Sequence, residues 1–128
     1  MLWGGVSSLK GIENMPNMDW LAIVDNEIES LEPLRTLTKL EFLKLNNNKI
    51  KDLEPLSGLT ELGYLSLDNN FIEDLSPLYG LLSLDYLYVT NNCVKDLSQF
   101  DELEKRNSKL VFAEQTITSQ NSEKCYQP

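Results

Sequence analysis

The chain is 128 residues long, with 20 acidic side chains against 11 basic ones, no histidine and a formal charge of −9. That balance argues against gripping a phosphate backbone, which takes clustered Lys and Arg, so nucleic acid is not an expected partner. Its apolar runs are only a few residues long, so no segment is expected to insert into a membrane. MLWGGVSS lacks the basic start and apolar core of a signal peptide, which makes a reducing, cytoplasmic setting the default. Cys93 and Cys125 are far apart and the second lies in a polar tail, so free thiols are expected rather than a disulfide framework or a metal knuckle.

The chain is organised by a period of 22 residues, plainest from Leu31 to Asp96, where LEPLRTLTKLEFLKLNNNKIKD is followed by LEPLSGLTELGYLSLDNNFIED and LSPLYGLLSLDYLYVTNNCVKD. Self-similarity at such a period marks a stack of like coils, whose core is a slab between neighbours rather than one compact centre. Residues 1–8 read as a partial repeat, with Met1 in a strand slot, Gly4 in an asparagine slot and Val6 in an isoleucine slot. No polar cap is visible there. Either the sequence is a piece of a longer protein, or Leu2, Trp3 and Val6 fold over the open end; an open end also allows self-association.

Residues 9–96 make four full repeats. The first sets Leu9, Ile12, Met15, Met18, Leu21, Ile23, Asn26 and Ile28 in the slots of Leu31, Leu34, Leu37, Leu40, Leu43, Leu45, Asn48 and Ile50. In each copy a stretch such as LEFLKL alternates with period two, the pattern of a half-buried strand with Leu43 and Leu45 turned in and Phe42, Lys44 and Asn46 turned out. The return crossing should be a short 3₁₀ or irregular turn, because Pro33, Pro55 and Pro77 lack the amide that a helix interior needs. Asp52, Asp74 and Asp96 are placed to cap those turns. Asn26, Asn48, Asn70 and Asn92 form a column whose amides can satisfy the backbone of adjacent coils, each unpaired buried group costing about 1–3 kcal/mol. Asp19, Glu41 and Asp85, interrupted by Gly63, read as a solvated rim beside the strands.

Residues 97–117 form a deviant, closing repeat. Leu97, Phe100 and Leu103 have helical spacing, with Asp96 ahead of them and Lys105 and Arg106 at the end, and the frame then slips by one to put Leu110 and Phe112 in strand slots and Ile117 in the isoleucine slot. Residues 118–128 read as a polar tail, either disordered or the beginning of a further segment.

This spelling, Leu-x-Pro-Leu followed by Leu-x-x-Leu-x-Leu-x-x-Asn-x-Ile/Val and a trailing Asp, resembles the 22-residue class of leucine-rich repeats found in bacterial internalins and in the nuclear regulatory subunit of type-one protein phosphatase. The likeness covers roughly residues 1–117. It implies an α/β repeat solenoid, an arc with a concave parallel β-sheet and short 3₁₀ or irregular convex segments, whose concave sheet binds another protein. It also implies that the chain is secreted or surface-attached if it is part of an internalin-like protein.

An unbroken period lines up equivalent outward positions into columns. The first column is Trp20, Phe42, Tyr64 and Tyr86, all aromatic. The second is Ala22, Lys44, Ser66, Tyr88 and Val111, and the third is Val24, Asn46, Asp68, Thr90 and Ala113. Interfaces favour Trp and Tyr and avoid charge at their centre. Trp20, Phe42, Tyr64, Tyr86 and Tyr88 are therefore the expected anchors for a partner protein, with Lys44 and Asp68 setting polar register. Stacking of these rings on one another would account for the column without a partner. A role as a structural spacer in a larger surface protein is the alternative function, and it gives no reason for an aromatic column. No enzyme, metal or cofactor is expected: Cys93 has no histidine to activate it, and neither a phosphate loop nor a serine elbow is present.

Overall fold

A computed structural model describes residues 5–112 and 114–126. Met1, Leu2, Trp3 and Gly4 lie outside the described residues, as does Ala113; of the expected lid of Leu2, Trp3 and Val6 only Val6 is described, half-buried against the core. Four short strands, β1 (Trp20–Ala22), β2 (Phe42–Lys44), β3 (Tyr64–Ser66) and β4 (Tyr86–Tyr88), form one parallel sheet in sequence order. Their register follows the period, pairing Trp20 with Phe42, Phe42 with Tyr64 and Tyr64 with Tyr86. The sheet is open and lines one side of an arc.

The opposite side is crossed by single 3₁₀ turns at Ile12–Asn14, Glu32–Leu34, Glu54–Leu56 and Ser76–Leu78. Proline opens the last three, where its missing amide costs nothing. The expected caps form: the Asp52 carboxylate accepts from the Glu54 amide at 2.9 Å, Asp74 from Ser76 at 2.9 Å and Asp96 from Ser98 at 3.1 Å. Arg35 ties neighbouring turns together by pairing with both Glu32 and Glu54, which holds those carboxyls below their usual pKa.

Between sheet and turns lies the slab of leucines. Leu43, Leu65 and Leu87 from the strands, and Leu45, Leu67 and Val89 just after them, meet Leu34, Leu56 and Leu78 from the turns, all buried. The first coil is looser. Met15, in the slot where Leu37 is fully buried, is 56% exposed, so the expectation of a core residue fails there. A slab residue needs coils on both sides, and the frame by itself does not supply the outer one.

Corners are set by a second column that the period also carries. Asp25, Asn47, Asn69 and Asn91 adopt left-handed backbone, with φ between 54° and 60°, a conformation that Asn and Asp tolerate better than other non-glycine residues. Their side chains bond along the stack: Asn47 donates to Asp25 and Asn91 to Asn69, each at 2.6 Å.

The C-terminal unit departs from the repeat. Helix α1 (Ser98–Arg106) replaces the 3₁₀ turn and buries Phe100 and Leu103. Leu97 sits just ahead of it and is exposed, so it does not share that face. Val111 pairs with Tyr86 rather than Tyr88, moving it from the second outward column to the first and placing Phe112 beside Leu87. A second short helix, α2 (Glu114–Thr118), follows, and then a 3₁₀ turn at Glu123–Tyr126.

The tail is not free. The Asn121 amide donates to the Asn92 carbonyl at 2.9 Å, and Lys124 Nζ donates to the carbonyls of Asn70 and Asn91 beneath the Phe71 ring, its pKa lowered by burial. Cys93 and Cys125 form a disulfide, with Cα atoms 5.7 Å apart, so the expectation of two free thiols is corrected. The backward turn of the tail closes a gap of 32 residues that spacing in the sequence does not reveal.

Candidate interaction surface

The asparagine column is structural. Asn70, fully buried, accepts from the Ile50 amide at 3.1 Å and donates to the carbonyls of Leu45 and Leu67, each at 3.0 Å. Asn48 and Asn92 repeat that set one coil either way. Each side chain thus bridges two coils, with both of its amide hydrogens committed to backbone carbonyls.

The aromatic column behaves differently. Because β1 to β4 pair in register, their first residues stand side by side on the open face of the sheet. Trp20 and Phe42 stack with centroids 5.1 Å apart and planes 6° from parallel, and Phe42 and Tyr64 at 4.4 Å and 11°. Tyr64 then meets Tyr86 at 6.4 Å and Tyr88 at 5.5 Å, both tilted by 47°. All five expected anchors are brought together as one strip across four strands. The ends are its most open points, Trp20 at 50% and Tyr86 at 46% exposed, with Phe42, Tyr64 and Tyr88 half-buried between them. Val111, 54% exposed, prolongs the strip beyond Tyr86.

The other outward columns divide. Ala22 and Ser66 are buried although their positions face outward, because each is a small residue in register beside the long Lys44, or between Lys44 and Tyr88. Lys44 is half-buried among them and takes part in none of the ion pairs of the described residues. Asp68 has an internal task, its Oδ1 accepting from the Thr90 amide at 2.7 Å. Asn46 does the same one strand earlier, accepting from the Asp68 amide at 3.0 Å and the Ser66 hydroxyl at 2.6 Å. The third column is thus a ladder first and a contact surface second.

Sequence reasoning missed Gln120. Its Oε1 accepts from the Val94 amide at 3.2 Å and its Nε2 donates to the Val89 carbonyl at 2.7 Å, which are the bonds a further asparagine rung would make. Nothing in the period points to it, because it arrives from the tail. A groove on the flank opposite the strip is lined by Lys49, Lys51, Phe71, Lys124 and the disulfide, with Glu29 and Glu73 offsetting the lysines. Among the described residues no group of acidic and cysteine side chains is placed to hold a metal, and no helix is long and apolar enough to cross a membrane.

The sequence profile for "Leucine Rich repeats (2 copies)" matches residues 16–58 and 60–104, over two thirds of the chain. Among solved structures, an internalin (inlF) from Listeria monocytogenes is 30% identical with a TM-score of 0.76, covering 83% of this chain and 31% of its own. Internalin C2 from the same organism is 36% identical with a TM-score of 0.58, covering 83% of this chain and 55% of its own. A leucine-rich repeat protein of Leptospira interrogans is 25% identical with a TM-score of 0.70, covering 83% of this chain and 27% of its own. The chain therefore spans well under two thirds of the length of these proteins. No curated protein sequence is significantly similar to it.

Proposed function

Since this chain belongs to the leucine-rich repeat family, we propose that it is a protein-interaction module whose partner covers the concave aromatic strip of Trp20, Phe42, Tyr64, Tyr86 and Tyr88. Leucine-rich repeat proteins are typically interaction modules rather than enzymes. The observation that carries the concave site is the continuity of the rings on an exposed sheet face in a strongly acidic chain. Each ring can bury about 150–250 Å² and loses little entropy when covered, because its neighbours already hold it. Lys44 sits within the strip and Asp68 at its side, where they add polar contacts.

A partner captured on the immobilised chain tests this reading. Tyr64→Ala or Tyr86→Ala, still folded by circular dichroism, should weaken its binding by about 2 kcal/mol or more. Glu54→Ala on the convex side removes only an exposed contact to Arg35 and should leave binding unchanged. Retention by the ring variants together with loss in Glu54→Ala would move the site to the other face. The spacer reading would gain if no variant on either face mattered.

The disulfide bears on where the module works. Such bridges persist in oxidising surroundings and are rare in reduced cytosol, so Cys93–Cys125 supports a secreted or surface setting over the cytoplasmic default.

A further inference from the structure

The geometry of the strip restricts what can cover it. Trp20, Phe42 and Tyr64 stand nearly parallel, so both faces of Phe42 are occupied by neighbouring rings and only its edge is presented. A ring edge is the positive rim of the quadrupole, whereas a cation needs a ring face. The middle of the strip therefore suits an apolar side chain, or the face of another aromatic ring meeting it at right angles, and does not suit Lys or Arg.

Charge lies immediately beside it. Asp19 and Glu41 directly precede Trp20 and Phe42, and both are exposed. Their backbone is fixed in the sheet ladder: the Asp19 carbonyl accepts from the amides of Glu41 at 2.8 Å and Phe42 at 3.1 Å, and the Glu41 carbonyl from those of Gly63 at 2.9 Å and Tyr64 at 3.1 Å. Adjacent strands lie about 4.8 Å apart, so the two carboxylates are anchored one strand apart along the flank of the strip. The third acid of this column, Asp85, is matched by Lys109 at 3.4 Å. The remaining ion pairs of the described residues engage Arg35 and Arg106 elsewhere and leave Asp19 and Glu41 without a cation.

Resting on the concave-face reading, we propose that the occupant is a protein segment with an apolar or aromatic anchor flanked on one side by Arg or Lys. The anchor covers the edges of Phe42 and Tyr64, and the cation sits between Asp19 and Glu41. The formal charge of −9 steers such a segment in and turns away anionic surfaces, so complementarity works at long range as well as in the contact.

The test is a random-peptide display selection on the full chain, followed by affinity measurements on the enriched peptides. Arg or Lys next to a large apolar or aromatic residue should dominate the enriched set. The double variant Asp19→Lys, Glu41→Lys should bind those peptides about tenfold or more weakly, and repeating the selection on it should enrich Asp and Glu instead. Raising the salt from about 0.05 M to about 0.5 M should weaken the wild-type interaction severalfold. Peptides lost on Tyr64→Ala but carrying no cationic bias and indifferent to the double variant would overturn this proposal while leaving the concave site standing. Peptides that bind the Tyr64 and Asp19/Glu41 variants as well as wild type would overturn both. Absence of any enriched peptide would overturn a short segment as the occupant.

Discussion

The central coils, residues 31–96, and the C-terminal unit, residues 97–126, meet the same requirements by different means. In the coils each need recurs every 22 residues and the same residue type answers it: Leu for the slab, Asn for the buried turn, Asp for the cap. In the C-terminal unit α1 stands in for a 3₁₀ turn, a single bridge at Val111 stands in for a strand, and Gln120 makes the bonds of a missing asparagine. The difference teaches what the period is for. A coil with neighbours on both sides must match both, which fixes its residues slot by slot. The C-terminal unit answers the Val94 amide and adds the second donor to the Val89 carbonyl, which Asn92 already engages, and any segment that reaches them will serve.

This contrast can be broken experimentally. The largest effect should come from Leu65→Ala, which opens a cavity in a slab with coils on both sides and should cost about 2–5 kcal/mol, read as loss of the whole unfolding transition in denaturant. A local loss confined to β3 would show that the coils do not fold as one unit. Reduction of Cys93–Cys125 comes next. Closing that loop stabilises by about 2–4 kcal/mol in the chain-entropy account, and its removal should release residues 119–126 to amide exchange while residues 31–96 stay protected. Equal loss of protection in both regions would erase the distinction between them. The smallest effect is expected for Gln120→Ala. Gln120 is half-buried, so water can replace its partners, and about 1 kcal/mol is expected. Asn70→Ala strands the Ile50 amide in a dry interior and takes one of two asparagine donors from each of the Leu45 and Leu67 carbonyls, and should cost more than twice as much. Equal costs would mean that the rung in the tail is as integral as those in the coils.

Legibility in the sequence divides along the same line. Parallel strands from like coils pair slot against slot, so the strip of Trp20, Phe42, Tyr64 and Tyr86 could be assembled from spacing alone, and its rings do stand together. Spacing could not say that Ala22 and Ser66 are covered, since that depends on the reach of Lys44 and Tyr88 in neighbouring strands. The left-handed corners at Asp25, Asn47, Asn69 and Asn91 were legible in principle, as a second Asn and Asp column at the same period. Three features lay beyond any periodic argument: the register of Val111, the rung supplied by Gln120, and the pairing of Cys93 with Cys125. Each depends on how a non-repeating segment folds back, and a one-residue slip reassigns every outward side chain after it.

The most direct test of the concave site is an NMR titration of the ring protons with a binding peptide or captured partner. The account predicts that signals of Trp20, Phe42, Tyr64, Tyr86 and Tyr88 shift together along one binding curve, while Phe71, in the groove on the other flank, stays in place. Movement of Phe71 with the five strip rings unchanged would contradict it.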